Sequence, residues 1–247
     1  MLLRDKVAIV TGATRGIGKE IVKTFVEQGA FVYGIYASNH EAAREIEKTF
    51  NQGEKCVSYV SGSVDDQLFI HSLFKSVVDK HNRLDILVNN AGITRDQFLF
   101  QMDDQSWQQV LQVNFGGTYT CCHAALPYME RKKQGKIVNV VSVTGVVGRE
   151  AQTNYGASKG AIIGLTRLLA RKYSEKGISI NAIAPGMIET EMIKQVPEEK
   201  LKNFLRFTNA KKLGSTIEVA RNVLYLSSDL SDYVTDTVLK VDGGFLR

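Results

Sequence analysis

Tyr155 and Lys159 are four residues apart in a segment with helical spacing, so their side chains share one face of a helix. A phenol has a pKa near 10, but a lysine ammonium within about 4 to 6 Å stabilises its anion and eases proton exchange. Ser142 ends an apolar run and offers a hydroxyl that can hydrogen-bond a carbonyl oxygen as it gains charge. These three side chains indicate acid-base chemistry at a carbonyl, although a Tyr-x-x-x-Lys pair alone is also a common surface contact.

A glycine-rich turn lies between the first apolar run and the first helical segment, with Gly12, Gly16 and Gly18 in the stretch 11–18. Such a turn lets the backbone approach a pyrophosphate, whose charge then lies at the positive end of the following helix. Alone, glycines at a strand end are often simple turn residues. Their position in the first strand-helix junction favours a dinucleotide cofactor.

The end of the second predicted strand bears on which nicotinamide cofactor is used. The strand ends in the sequence Tyr36-Ala37-Ser38, which lacks the acidic residue that would accept hydrogen bonds from a ribose 2′-hydroxyl. Arg15 can pair with a 2′-phosphate and Ser38 can donate to it, so NADPH is favoured over NADH. The alternatives are an exposed loop charge at Arg15 and a plain helix cap at Ser38. The stretch Asn89-Asn90-Ala91-Gly92 lies where the adenosine half would bind, or forms a simple turn.

The elements that must position these residues follow from an alternation of short apolar runs and amphipathic segments. Strands are predicted over 7–11, 31–36, 57–60, 84–88, 136–142, 178–184 and 238–241. Helices are predicted over 17–28, 68–79, 108–131 and 155–176, with two more opened by capping boxes at Ser38 and Ser215.

This alternation predicts a single-domain α/β Rossmann fold, a doubly wound parallel sheet of about seven strands with helices on both faces. An eight-fold barrel is the competing fold. It is disfavoured because about seven strands are readable and the glycine turn follows the first strand.

Bulk properties set further expectations. The chain has 247 residues, 44% hydrophobic and 23% charged, typical of one globular domain over 1–247. A net charge of +5, with scattered basic residues, argues against a nucleic-acid-binding protein. Three cysteines without metal-ligand spacing suggest neither a disulfide nor a metal site.

No apolar run approaches the roughly 18 to 20 residues that span a bilayer, so an intracellular, soluble protein is expected. The charged, weakly periodic stretch 190–212 predicts a mobile lid.

Together, the motifs resemble those of the short-chain dehydrogenase/reductase family, in order and over nearly the whole chain. They are Thr11-Gly12-x-x-x-Gly16-x-Gly18, Asn89-Asn90-Ala91-Gly92, Asn114, Ser142, Tyr155-x-x-x-Lys159 and Pro185-Gly186. Within the family the chain looks most like the 3-oxoacyl-[acyl-carrier-protein] reductases. The stretches that carry this finer resemblance are 89–96, 184–192 and 241–244.

The resemblance implies a role for each catalytic position. Tyr155 would protonate the substrate oxygen and Ser142 would position it. Lys159 would hold the nicotinamide ribose and lower the Tyr155 pKa, and Asn114 would anchor a water that passes protons to Lys159. The implied cofactor contacts are Gly12, Thr14, Arg15, Gly16, Ile17, Gly18, Ser38, Ser63, Val64, Asn90, Ala91, Gly92, Tyr155, Lys159, Pro185, Gly186, Ile188 and Thr190. Ser63 departs from the family, which commonly has Asp or Asn against the adenine.

The resemblance also implies partners: an acyl carrier protein with a 3-oxoacyl thioester, and further copies of the chain in a cytoplasmic homotetramer. Lys133 and Lys176 occupy the positions of two basic side chains that flank the active-site entrance and receive the carrier. Lysine keeps the charge of the family's arginines but lacks their bidentate fork. Cys121 and Cys122 lie on a helix of the implied tetramer interface and are expected to be packing residues.

The expected reaction transfers hydride from NADPH to the keto carbon and a proton from Tyr155, giving a (3R)-3-hydroxyacyl thioester. Two alternatives stay open. One is the same chemistry on another carbonyl, such as an acyl-CoA, a quinone or a sugar. The other is a catalytically silent dinucleotide-binding subunit.

Overall fold

The computed structural model describes residues 1–53, 55–191, 193, 196 and 198–245. In this part of the chain, seven parallel strands form one sheet. The strands are β1 (Val7–Thr11), β2 (Phe31–Tyr36), β3 (Val57–Ser61), β4 (Ile86–Asn89), β5 (Gly135–Val140), β6 (Ile178–Pro185) and β7 (Val238–Val241). Their spatial order is β3-β2-β1-β4-β5-β6-β7, which confirms the predicted doubly wound sheet.

Helices connect the strands. They are α1 (Gly16–Glu27), α2 (His40–Phe50), α3 (Gln67–His81), α4 (Asp104–Leu111), α5 (Gly117–Lys132), α6 (Val143–Val147), α7 (Thr153–Tyr173), α8 (Glu198–Arg206) and α9 (Thr216–Ser227). A π-helical stretch, Gln112–Gly116, joins α4 to α5. None of the helices in the described ranges is both long enough and apolar enough to cross a membrane.

The core lies on both faces of the sheet, because the strands alternate their side chains between two apolar clusters. Ala8 and Val10 pack with α1 and α9, whereas Val7 and Ile9 pack with α3 and α5. Both neighbouring cysteines, Cys121 and Cys122, are buried in the second cluster, as expected for packing residues.

The strand order reverses at β1, which pairs with β2 on one side and with β4 on the other. In parallel sheets, ligands bind in the crevice outside the carboxyl ends of the strands at such a reversal. The glycine turn follows β1, and Ser142 follows the end of β5 at the same edge of the sheet.

Local predictions differ in outcome. The capping box at Ser215 is confirmed, with Glu218 reaching back to the Ser215 backbone. The one at Ser38 is wrong, because Asn39 caps α2 instead and accepts from the amide of Ala42 at 3.2 Å. Asparagine is as good a cap as serine, so the residue next to the helix takes the role.

Two helices were not predicted. The short helix α6 begins directly after Ser142, and α8 lies within the predicted lid 190–212. Residues 192, 194, 195 and 197 of that segment lie outside the described residues. Mobility of the segment stays a prediction.

Candidate active site

The glycine turn brings β1 and the start of α1 against the loop that follows β4. Gly12 has a φ of +66°, and a Cβ there would lie 2.9 Å from the Ala91 Cα atom. A Cβ on Gly18 would lie 2.1 Å from the Gly12 carbonyl oxygen. Both positions therefore require glycine, and the closely approaching backbone can carry a pyrophosphate.

The amino terminus of α1 has the features of an anion site. Arg15 is its cap residue, with an extended backbone and no capping hydrogen bond from its side chain. The first turn of the helix contains no acidic residue. The helix itself thus places no carboxylate at the positive end of its dipole, which fits the phosphates of a dinucleotide.

Arg15 and Ser38 are both exposed, at the turn after β1 and just beyond the end of β2. Because these strands are neighbours, the two side chains border the same end of the crevice. The arrangement fits a 2′-phosphate, and the described residues 36–39 contain no carboxylate that would repel it.

Asn90 and Thr11 hold the two loops of the cofactor crevice together. The Asn90 side-chain amide donates to the carbonyls of Thr11 and Gly12 at 3.0 and 3.1 Å. The Thr11 hydroxyl accepts from the amides of Asn90 and Ala91. Asn90 therefore shapes the site with its side chain, and Thr11 is a residue that sequence reasoning did not assign.

Ser63 and Val64 follow the end of β3. The Ser63 hydroxyl hydrogen-bonds the carboxylate of Asp65, which also accepts from Gln112 at 3.2 Å. Val64 is buried against Gly117, where a Cβ would lie 2.4 Å from a Val64 methyl carbon. Val64 is thus a packing residue, and the Ser63 hydroxyl already has a hydrogen-bond partner within the protein.

Ser142 and Tyr155 meet at the carboxyl edge of β5. The Ser142 hydroxyl caps α6 by accepting from the Thr144 amide at 3.1 Å. Burial raises the pKa of Tyr155 to about 12, against the lowering effect of the Ser142 hydrogen bond, and the nearby charge of Asp96 raises it further. This net direction is opposite to the expected one, because desolvation of the phenolate outweighs the other effects. The phenol is thus protonated at neutral pH, as a proton donor must be.

Lys159 lies one turn further along α7 and is only 3% exposed. Its ammonium donates to the Val140 carbonyl at 2.8 Å and lies 5.6 Å from the centre of the Tyr155 ring. Burial lowers the pKa of Lys159 to about 8. The helix α6 can approach α7 closely because residue 145 is glycine. A Cβ there would lie 2.6 Å from the Lys159 Cβ atom.

Asn114 lies in the π-helical stretch and is completely buried. Its side chain accepts from the Ile93 amide at 2.8 Å and donates to the Ile93 carbonyl and the Ser158 hydroxyl, both at 3.0 Å. A Cβ on Gly92 would lie 3.2 Å from the Asn114 oxygen and 3.5 Å from the Lys159 ammonium. Asn114 therefore faces the same small space as Lys159 while tying the loop after β4 to α7.

The segment after β6 borders the same crevice. Gly186 donates to the Val241 carbonyl at 2.9 Å, and a Cβ on it would lie 2.8 Å from the Asp242 Cα atom. Ile188 is buried and forms a bridge with Gly214, which fixes the path of the backbone after Pro185. A methyl group of Thr190 lies 3.4 Å from where a Gly16 Cβ would be, so this segment reaches the glycine turn.

Lys133 and Lys176 lie at the opposite edge of the sheet. Lys133 lies two residues before β5 and Lys176 two residues before β6, whereas Ser142 lies beyond the other end of β5. The six residues of β5 separate these ends by about 20 Å. Lys176 pairs with Glu130 on α5. Within one chain the two lysines are therefore close to each other, but the expectation that they flank the entrance to this chain's own site is wrong.

Three residues missed by sequence reasoning surround Tyr155. Asp96 accepts from the side chain of Gln152 at 2.7 Å, and Asn154 accepts from the Tyr155 backbone amide at 2.7 Å. Gln152 and Asn154 adjoin the Tyr-x-x-x-Lys motif, so their position in the sequence could have identified them. Asp96 ends the stretch 89–96 that carries the finer resemblance, but nothing in the sequence indicated its contact with Gln152, which is 56 residues away.

The fold and this site define a class of protein. A glycine turn at the strand-order reversal, with a Ser-Tyr-Lys group beside it, is an arrangement for dinucleotide-dependent hydride transfer at a carbonyl. The profile of the short chain dehydrogenase family matches residues 6–201. The chain belongs to this family.

Three curated relatives show the finer similarity, and each is a 3-oxoacyl-[acyl-carrier-protein] reductase FabG. The Thermotoga maritima protein is 39% identical over 246 residues, covering 100% of both chains. The Chlamydia trachomatis protein is 38% identical and covers 98% of each chain. The Vibrio harveyi protein is 39% identical and covers 99% of this chain and 98% of its own.

Proposed function

We propose that this chain is an NADPH-dependent 3-oxoacyl-[acyl-carrier-protein] reductase of fatty acid synthesis, working in the cytoplasm as a homotetramer. It reduces the 3-oxo group of a carrier-bound acyl thioester to the (3R)-3-hydroxyacyl thioester. The observation that carries the proposal is the placement of the Tyr155 ring, beside Ser142, with its centre 5.6 Å from the ammonium of the buried Lys159. The full-length similarity to the reductases named above supports this substrate class.

The cofactor fits the residues present. When bound, NADPH supplies the hydride for the keto carbon. The glycine turn and the uncapped start of α1 would hold its pyrophosphate, with Arg15 and Ser38 at the 2′-phosphate. Asn90, Ala91 and Gly92 would border the cofactor through their backbone, and Lys159 would hold the nicotinamide ribose. The remaining cofactor contacts proposed are Thr14, Ile17, Ser63, Val64, Pro185, Gly186, Ile188 and Thr190.

The proton comes from the Tyr155 hydroxyl. Ser142 hydrogen-bonds the substrate oxygen and so holds it beside the phenol as negative charge develops. A positioned acid of this kind contributes roughly 10² to 10⁴ in rate. Afterwards Tyr155 must regain a proton, and the buried Lys159 ammonium, next to Asn114 across Gly92, is the nearby source.

Substrate access and docking form part of the proposal. The segment 190–212, which reaches the glycine turn through Thr190, would close over the bound cofactor and thioester as a lid. Lys133 and Lys176 would attract the acidic carrier protein by charge. Because both lie at the far edge of the sheet, docking there would serve an active site on another copy of the chain within the tetramer.

The test compares the carrier-bound and CoA-bound forms of one short 3-oxoacyl substrate, with NADPH oxidation as the readout. We expect a kcat/KM at least about tenfold higher for the carrier-bound form, falling toward the CoA value in Lys133→Glu and Lys176→Glu. Lys172→Glu, which removes an exposed lysine from the last turn of α7, is the matched control. Equal efficiency on both substrates, unchanged by the two charge reversals, would contradict the carrier assignment.

A second candidate is reduction of a different carbonyl. The same Ser142, Tyr155 and Lys159 would serve an acyl-CoA, a quinone or a sugar, because these residues address the reacting centre and not the rest of the substrate. A screen of those three classes with NADPH tests this directly. A class that exceeds the carrier-bound thioester in kcat/KM would replace it as the substrate.

A further inference from the structure

The loop after β4 is fastened to the start of α7 at three points. The Arg95 carbonyl accepts from the Asn154 side chain at 3.0 Å, and Asp96 accepts from the Gln152 side chain at 2.7 Å. Gln97 forms a backbone bridge with Gln152. Tyr155 follows directly, so this loop determines where its phenol lies relative to the rest of the site.

One of these contacts continues to Ser142. The Thr144 hydroxyl donates to the Gln152 side-chain oxygen at 3.2 Å, and the Thr144 amide donates to the Ser142 hydroxyl at 3.1 Å. A carboxylate can only accept, so the Asp96 contact requires the amide nitrogen of Gln152 and turns its oxygen toward Thr144. Asp96, Gln152, Thr144 and Ser142 thus form a continuous chain of hydrogen bonds.

The charge of Asp96 acts in the same direction. Burial is the main cause that raises the pKa of Tyr155, and the charge of Asp96 adds to it, which favours the protonated phenol that reduction requires. The Lys159 ammonium, on the same helix as Tyr155, lies 5.6 Å from the centre of its ring. Asp96 is exposed, as are the other charged groups on the adjoining loops and at the start of α4: Arg95, Asp103, Asp104, Arg149 and Glu150.

We infer that Asp96 is a positioning residue, which acts through Gln152 to hold the Ser142 hydroxyl and the Tyr155 phenol in one arrangement for proton donation. This inference rests on the proposed function for its reaction. Asp96 itself contacts neither Ser142 nor the reacting atoms through any hydrogen bond found among the described residues.

The variants Asp96→Ala and Asp96→Asn separate the contact from the charge. Asp96→Ala loses both, and because small misplacements of reacting groups are costly, kcat should fall about 10- to 100-fold. Asp96→Asn keeps an oxygen that accepts from Gln152, so kcat at pH 7 should stay within about threefold of the wild-type value. In both variants the alkaline limb of kcat against pH should move to lower pH, since the phenol loses a neighbouring negative charge.

Two further measurements distinguish positioning from a general structural role. The Kd for NADPH and the midpoint of urea unfolding should stay at their wild-type values in Asp96→Asn, and Kd should change less than twofold in Asp96→Ala. Asp104→Asn, which removes another exposed carboxylate, should leave kcat and the pH profile unchanged. A fall in NADPH affinity as large as the fall in kcat would overturn the inference, as would an unchanged kcat and pH limb in Asp96→Ala.

Gln152→Ala carries the same test should Asp96→Ala not fold. Substitutions within one chain of hydrogen bonds have non-additive effects. The double variant Asp96→Ala/Gln152→Ala should therefore have a kcat only slightly below that of either single variant. Additive losses in kcat would contradict the continuous chain of hydrogen bonds. The wild-type rate on the 3-oxoacyl substrate tests the proposed function separately, because the inference depends only on the ratios between variants and wild type.

Discussion

The Lys159 ammonium lies over the Tyr155 ring, 5.6 Å from its centre, and its 2.8 Å hydrogen bond goes to the Val140 carbonyl. The lysine is thus anchored to the end of β5 while it remains beside the phenol. Burial moves the two pKa values in opposite directions and so apart, lowering that of Lys159 to about 8 and raising that of Tyr155 to about 12. The pair keeps both protons at neutral pH.

Lys159→Met should reveal the cost of burying the ammonium. The native pKa of about 8 is below the usual 10.5, so the unfolded chain binds more protons between these values and stability rises with pH there. The free energy of unfolding of the wild type, relative to Lys159→Met, should therefore rise by about 2 kcal/mol from pH 7 to pH 10. Urea unfolding at intervals across this range measures it, with the exposed Lys19→Met as the control. A constant difference would mean that the ammonium is not desolvated.

Tyr155→Phe removes only the hydroxyl that donates the proton. NADPH oxidation with a 3-oxoacyl thioester should fall at least about 10²-fold, while the Kd for NADPH stays within about twofold. Single-turnover kinetics and direct cofactor binding measure the two effects separately. Tyr225→Phe, half-exposed on α9, is the matched control and should retain full activity. Undiminished oxidation in Tyr155→Phe would overturn the role of Tyr155 as the proton donor, whereas absence of oxidation in the wild type, with NADPH still bound, would favour the silent-subunit alternative.

Arg15→Ala should weaken NADPH binding selectively. A charge-assisted pair with the 2′-phosphate contributes about 1.5 to 3 kcal/mol, which corresponds to a rise in Kd of roughly 10- to 100-fold. The Kd for NADH should change less than about twofold. Ala37→Asp, which places an acid just after β2, should shift the preference toward NADH. Arg167→Ala removes an exposed arginine from α7 and is the control. A parallel loss of NADH affinity in Arg15→Ala would assign the arginine to the pyrophosphate instead.

Asn114→Ala should destabilise the fold as well as the site. It leaves the backbone groups of Ile93 and the Ser158 hydroxyl without their present partner, and each such buried loss costs about 1 to 3 kcal/mol. The free energy of unfolding should fall by at least about 1 kcal/mol, measured by urea titration. Asn203→Ala, exposed on α8, should cause little change. Equal stability of the two variants would show that water replaces the amide at no cost.

The sequence by itself determined the order of elements and the residues at the strand ends. The strands at 31–36 and 238–241 have the predicted bounds, because short β-branched runs between turn residues have few other favourable conformations. The glycine positions were also predictable, since Gly12 and Gly18 permit a close backbone approach that any side chain would block. The pairing of Tyr155 with Lys159 required only the periodicity of a helix.

Only the tertiary structure decided what depends on burial and on contacts between distant segments. The direction of the Tyr155 pKa shift is set by desolvation, a property of the whole packed site that the local motif does not contain. Asp96 meets Gln152 across 56 residues because β4 and β5 are neighbours in the sheet. The placement of Lys133 and Lys176 at the opposite edge from Ser142 follows from the parallel direction of β5 and β6, since residues before and after a strand lie at its two ends.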